Sequence, residues 1–246
     1  MKILVCVSKV PDTTTKVKFS SDRKSVDYSG VQFIINPYDE HGLAKALELK
    51  EKHSGSTITI INVGDASSEA IIRKCLAIGA DEAMRVDAEP ADAFFVAEQI
   101  AAAIKDKGFD LIITGRESID YNGGQVCDLL GEMLEIPSVG LSTFVEVADG
   151  SATITRFVDG GHETLQSPLP LVLSATKELA EPRIPNMRGI MMARSKPIQN
   201  VPAADVTKHT SVAEYEPPKE KGECKYIDPE NAGELIQLLH SEAKVI

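Results

Sequence analysis

The chain has 246 residues, with 26 lysines and arginines against 37 aspartates and glutamates, for a net charge of −11. That length can bury a full core, and that charge argues against nucleic acid as a partner. No apolar run approaches the ~20 residues a membrane helix needs, so no membrane insertion is expected. Cys6, Cys75, Cys127 and Cys224 form no C-x-x-C pair and no cysteine–histidine cluster. No metal site is therefore expected, and reduced thiols in a cytoplasmic setting fit best.

The opening MKILVCVSKVPD turns polar too soon for a signal peptide and reads as a first buried strand over 2–8, ended by a turn at 9–12. Residues 13–34 form an excursion with short edge strands near Val17–Phe19 and Gln32–Ile35. Asn36, with Pro37 after it and Asp39 three residues on, caps a helix running to about His53. A strand over Thr57–Asn62 follows, then a helix from Ser67 or Ser68 stopped by Gly79. Ala83–Val86 is a strand, Ala91–Lys107 a helix ended by Gly108, and Asp110–Thr114 another strand. This β-α alternation calls for an α/β fold with a doubly wound, mostly parallel sheet of the Rossmann-like type. Ligands bind such sheets beyond the carboxyl ends of the strands. The turns at 8–13 and 62–66, the Asn36 cap and the 115–126 loop all lie at such ends and can converge on one site.

After Pro137 the rhythm changes. Thr143–Val147, Ala152–Val158 and Glu163–Gln166 alternate and are split by Asp149-Gly150 and Gly160-Gly161, so they read as antiparallel hairpins. Residues 168–174 return to a buried strand. From about Glu181 the prolines break the sheet rhythm, and a polar tail leads to a last helix at Pro229–Leu239. That tail has no core of its own and reads as an arm wrapped round a partner. The organisation expected is a core at 1–182, a loop at 183–197 and a C-terminal arm at 198–246.

The chemistry is expected in DLIITGRESIDYNGGQVCDLLGEML, residues 110–134. A strand, a polar glycine-bearing loop and a helix from Gln125 place unpartnered helix amides opposite the loop, as phosphate sites do. Gly123 and Gly124 allow the backbone to approach an anion closely. With no Walker lysine and no G-x-G-x-x-G, an ordinary βα connection capped by Asn122 accounts for the spacing equally well. A second cluster is RIPNMRGIMMARSKP, residues 183–197, where Arg183, Arg188, Arg194 and Lys196 surround Met187, Ile190, Met191 and Met192. This is either an amphipathic helix with its methionines packed inward or a docking surface with a pliable apolar centre. The five histidines fall in unrelated contexts, and no nucleophile elbow or catalytic triad order appears. No catalytic residue is assigned.

The run GRESIDYNGGQV resembles the nucleotide loop of electron-transfer flavoprotein β subunits. The likeness extends to VCVSKVPD at 5–12, INPYDEHGLAKALELKE at 35–51, CLAIGADEAMRV at 75–86, DGGHETL at 159–165 and EPRIPNMRGIMMARSKPI at 181–198. It implies a non-enzymatic electron carrier that binds AMP structurally and forms a heterodimer with an α subunit. The α subunit would hold FAD, and this chain would close one side of it near Thr13 and Tyr38. The AMP site would comprise Cys6; Asn36, Pro37, Tyr38 and Asp39; Val63; and the loop residues Gly115, Arg116, Ile119, Asp120, Asn122, Gly123, Gly124, Gln125 and Val126. The resemblance also makes 183–197 a recognition loop with Met187 as its apolar anchor. Electrons would come from acyl-CoA and related dehydrogenases, as in fatty-acid β-oxidation, and pass to a quinone oxidoreductase at the membrane. Two alternatives stand beside this reading: a bifurcating β subunit with a second FAD, whose loop shares Gln125-Val126, and a stand-alone AMP-binding regulatory module.

Overall fold

The computed structural model describes residues 1–220 and 222–246. Strand β1 (Lys2–Cys6) leads into β2 (Lys9–Pro11), which pairs antiparallel with β3 (Phe33–Ile35). The segment expected as a turn at 9–12 is thus a short strand, its partner supplied from the far end of the 13–34 excursion. The edge strand expected near Gln32–Ile35 is β3, while the one expected near Val17–Phe19 is reduced to the bridge Phe19–Val26. Helix α1 (Pro37–Lys52) and β4 (Thr57–Val63) follow, then a 3-10 turn (Ala66–Ser68) into α2 (Glu69–Ile78) and β5 (Glu82–Asp87). Next come α3 (Ala93–Ile104), β6 (Leu111–Gly115) and α4 (Val126–Leu134). Helix α3 is shorter than expected because the Asp92 carboxylate caps it, accepting from the Phe95 amide.

Three antiparallel strands, β7 (Ser138–Ala148), β8 (Ser151–Val158) and β9 (Gly161–Pro168), precede β10 (Leu171–Ala175). Asp149 (φ 50°) and Gly150 (φ 76°) make the β7–β8 turn, both in the left-handed region such two-residue hairpins require. After α5 (Met187–Ala193) the tail contributes β11 (Ile198–Pro202), which pairs parallel with β5. The expectation that sheet structure ends near Glu181 is corrected here. Pro197 and Pro202 bracket an edge strand, where a missing N–H is tolerated. The arm ends in α6 (Ala232–Ser241), whose Leu235 and Ile236 remain exposed.

The nine-stranded sheet runs β11-β5-β4-β1-β6-β10-β7-β8-β9. It is parallel from β11 to β7 and antiparallel beyond. Alternation along β1 divides the core: Ile3, Val5 and Val7 pack with α1 and α2, while Leu4 and Cys6 pack with α3 and α4. Strand β1 is flanked by β4 on one side and β6 on the other. The chain order reverses there, so a crevice opens at the carboxyl ends of β1 and β6.

Candidate functional site

A cavity of about 820 Å³ fills that crevice. It is floored by Cys6 at the end of β1, Val63 at the end of β4 and Gly115 at the end of β6. Its walls include Asn36, Asp39, Asp120 and the Asn122–Val126 stretch. The four strand-end segments expected to converge do so, with Ser8, Lys9, Gly64 and Asp65 lining it as well. Of the residues expected to bind nucleotide, Pro37, Tyr38, Arg116 and Ile119 do not line it. The Arg116 guanidinium instead sits 5.3 Å from the centre of the Tyr38 ring, outside the cavity.

Asn36 precedes α1, but its side chain makes no cap bond. Its Nδ2 donates to Asp39 Oδ1 and to the Glu117 carbonyl, both at 2.9 Å, and its Oδ1 accepts from the Ile119 amide at 3.2 Å. Asn36 therefore moors the start of the 115–126 loop to the sheet instead of capping the helix. Asp39 completes the mooring, accepting from the Ser8 amide at 2.7 Å. It is 3% exposed, and burial pushes its carboxyl up to about 7, against the pull of the Ser8 amide, the Asn36 side chain and the Gly115 amide. No side chain fits at position 115, because a Cβ there would overlap Asp39 Oδ1 and come 2.9 Å from Tyr38 Cβ.

Helix α4 points its N-terminus into the cavity with no side chain capping it. Asp128, in its first turn, is engaged by the Ser138 hydroxyl at 3.0 Å. The amides opening the helix face a wall carrying Gly123 and Gly124, which suits an anion. The rest of the lining is acidic and partly apolar, with Asp65, Glu89, Asp92, Val96 and Ile100. The Ser67 hydroxyl, then the Lys9 ammonium, hold the Asp65 carboxyl below its usual range. Burial drives the Cys6 thiol far upward and pushes Cys127 up to about 12, so neither offers a thiolate. Asn62 is 1% exposed and donates to the Val7 carbonyl at 2.8 Å, while its Oδ1 has no partner among the described residues. That oxygen lies beside Gly64, whose added Cβ would come 2.8 Å from it.

Sequence reasoning missed the third wall, made by Glu89 to Ala93 after β5 and by Thr210 to Val212 in the tail. The first follows from the strand-end rule applied to β5. The second has no local signal.

The recognition segment forms α5, capped by Asn186, whose Oδ1 accepts from the Gly189 amide at 2.8 Å. Its methionines do not pack inward: Met187 is 75% exposed, Met191 68% and Met192 52%, with Ile190 at 39%. Arg188 and Arg194 are exposed beside them. Lys196 departs from the expected cationic rim, since its ammonium donates to the carbonyls of Leu76 and Ala80. Arg183 is paired with Glu51. Arg73 fixes the helix from beneath by donating to the carbonyls of Ala193 and Lys196.

An open, mostly parallel α/β sheet with a ligand-sized crevice at its switch point defines the class. A family model described as the electron transfer flavoprotein domain matches residues 25–206, and the chain belongs to that family. The electron transfer flavoprotein subunit beta of Bacillus subtilis is 36% identical over the full length of both chains. That of Syntrophomonas wolfei is 37% identical, covering all of this chain and 98% of the relative. A third relative, the caffeyl-CoA reductase–Etf complex subunit CarD of Acetobacterium woodii, is 34% identical over 80% of this chain and 77% of its own. The β-subunit expectation is met along the whole chain. Among the described residues, no helix is long and apolar enough to cross a membrane.

Proposed function

We propose that this chain holds AMP as a structural ligand in the switch-point cavity and serves as the β half of a heterodimeric electron carrier. Its α subunit would carry FAD, which when bound supplies the electron-accepting and electron-donating chemistry. The observation that carries the reading is the uncapped N-terminus of α4 in the cavity lining, preceded by Gly123 and Gly124, which let a phosphate approach the backbone closely. Gly64 and Gly115, at the carboxyl ends of β4 and β6, sit against Ser68 and Asp39 with no space for a Cβ, which keeps the strand-end floor of the cavity free of side chains at those positions. Thr13 is exposed and Tyr38 half-exposed, both outside the cavity, so they remain free to meet the α subunit's FAD.

Mass spectrometry of the nucleotide released on denaturation is expected to find one AMP per chain. The bifurcating alternative draws support from the size of the cavity, toward the upper end for ligand sites, and from the CarD relative. Two flavins per heterodimer and no AMP would decide for it.

The exposed α5 surface, an apolar methionine centre beside two exposed arginines, is the docking site proposed for acyl-CoA and related dehydrogenases, with onward transfer to a membrane quinone oxidoreductase. Truncating an interface anchor costs roughly 1–3 kcal/mol, so Met187→Ala is expected to slow electron acceptance from a dehydrogenase by roughly tenfold or more. Flavin content should not change, because Met187 is exposed on α5 and FAD is assigned to the α subunit. Stopped-flow reduction rates equal to wild type would remove the docking assignment.

A further inference from the structure

The tail crosses the mouth of the cavity between two anchors. On the α3 side, Gln99 and Ala204 exchange a pair of hydrogen bonds at 2.9 and 2.8 Å. Asp92 then divides its carboxylate. Oδ1 caps α3 through the Phe95 amide at 2.7 Å, while Oδ2 accepts from the amides of His209 and Thr210 at 3.0 and 2.9 Å and from the Thr210 hydroxyl at 3.2 Å. The Phe94 and His209 rings meet edge-on at 4.5 Å, and the Lys208 ammonium lies over Phe95. On the far side, Tyr215 stacks on Phe19 at 5.2 Å and donates its amide to the Arg23 carbonyl at 2.8 Å. Between the anchors, Thr210, Ser211 and Val212 face the cavity.

We propose that residues 208–215 form a strap that retains the bound nucleotide, with Asp92 as its latch. The inference rests on the nucleotide reading above and adds what keeps the ligand in place. Phosphate belongs at the α4 amides. The carboxylates of Glu89 and Asp92 repel it from the wall after β5, and Val63, Val96 and Ile100 in the same lining offer apolar contacts for a base. The strap residues Thr210 to Val212 line the cavity, tied to the same wall through Asp92. A nucleotide seated beneath them leaves only after the strap lifts, so the exchange rate follows strap opening.

The substitution Asp92→Asn separates the two duties of this residue. Asparagine caps a helix as well as aspartate does, so α3 keeps its bond to the Phe95 amide. Its Nδ2 then presents a donor to the His209 and Thr210 amides, and the latch fails. The measurement is exchange of bound AMP for isotopically labelled AMP in the purified heterodimer, with total nucleotide determined after denaturation. Exchange in Asp92→Asn is expected to be about tenfold faster than wild type or more, since lifting the strap no longer breaks charge-assisted bonds. Tyr215→Ala, which weakens the far anchor and leaves α3 untouched, should shift the rate the same way. Wild-type rates in both variants, with nucleotide present, would overturn the strap and leave the nucleotide site standing. A wild-type protein that releases no nucleotide would remove the site, and the strap with it.

Discussion

Placing a single methyl group on Gly115 is expected to empty the cavity of nucleotide and to lower the unfolding free energy by roughly 3 kcal/mol, the upper end for overpacking. The alanine Cβ would overlap Asp39 Oδ1, lie 2.9 Å from Tyr38 Cβ and lie 3.0 Å from Asn36 Nδ2. None of these neighbours is free to yield. Asp39 is bound to the Ser8 amide and Asn36 to Glu117 and Ile119, so displacing either unties the loop that carries Gly123 and Gly124. Buried donors left without partners add to the steric cost. Gly161→Ala supplies the control. Gly161 lies outside the cavity lining and its added Cβ meets nothing within 4 Å, so it should retain both nucleotide and stability. Chemical denaturation curves and released-nucleotide content on the two variants give the comparison, and a Gly115→Ala protein matching Gly161→Ala in both would refute it.

Much of this network was readable from the residues, but unevenly. The hydrophobic runs and the Asn36-Pro37 start of α1 are local signals, and they predict the β-α order and the strand ends that gather at the cavity. Asn36 was legible as a helix start, yet its side chain serves the 115–126 loop. That partnership spans 81 residues of sequence, and no local pattern encodes it. The same holds for β2, whose partner β3 lies beyond a long excursion, and for the strap, whose latch joins Asp92 to His209 and Thr210. Strand β11 was hidden for another reason. Its flanking prolines are breakers in a central strand and acceptable at an edge, and the sequence does not announce which position a strand will take. The composition of 183–197 left two orientations for its methionines. Only the packing of α5 on α2, with Gly189 against the Ala77 carbonyl, turns them to solvent.

Asp39 also gives the fold a pH dependence of definite sign. Burial lifts its carboxyl from the usual 3.8 to about 7 in the folded chain. Between those values the folded state holds a proton that the unfolded state has released, so this residue's contribution to stability is complete below about pH 4 and is lost as pH climbs through about 7. The slope from one such group is at most about 1.4 kcal/mol per pH unit. Asp39→Asn cannot titrate, and the difference between the two proteins isolates the effect from every other carboxylate. The unfolding free energy of the wild type should fall more steeply than that of Asp39→Asn from about pH 4 to about pH 7. The substituted protein should also be weaker at the acid end by roughly 1–3 kcal/mol, because its amide turns a donor toward either the Ser8 amide or Asn36 Nδ2. Parallel stability profiles across that range would mean that Asp39 stays charged in the fold. Its hydrogen bonds from Ser8 and Asn36 would then outweigh the cost of burying it, and the mooring of the nucleotide loop would be an ionic one.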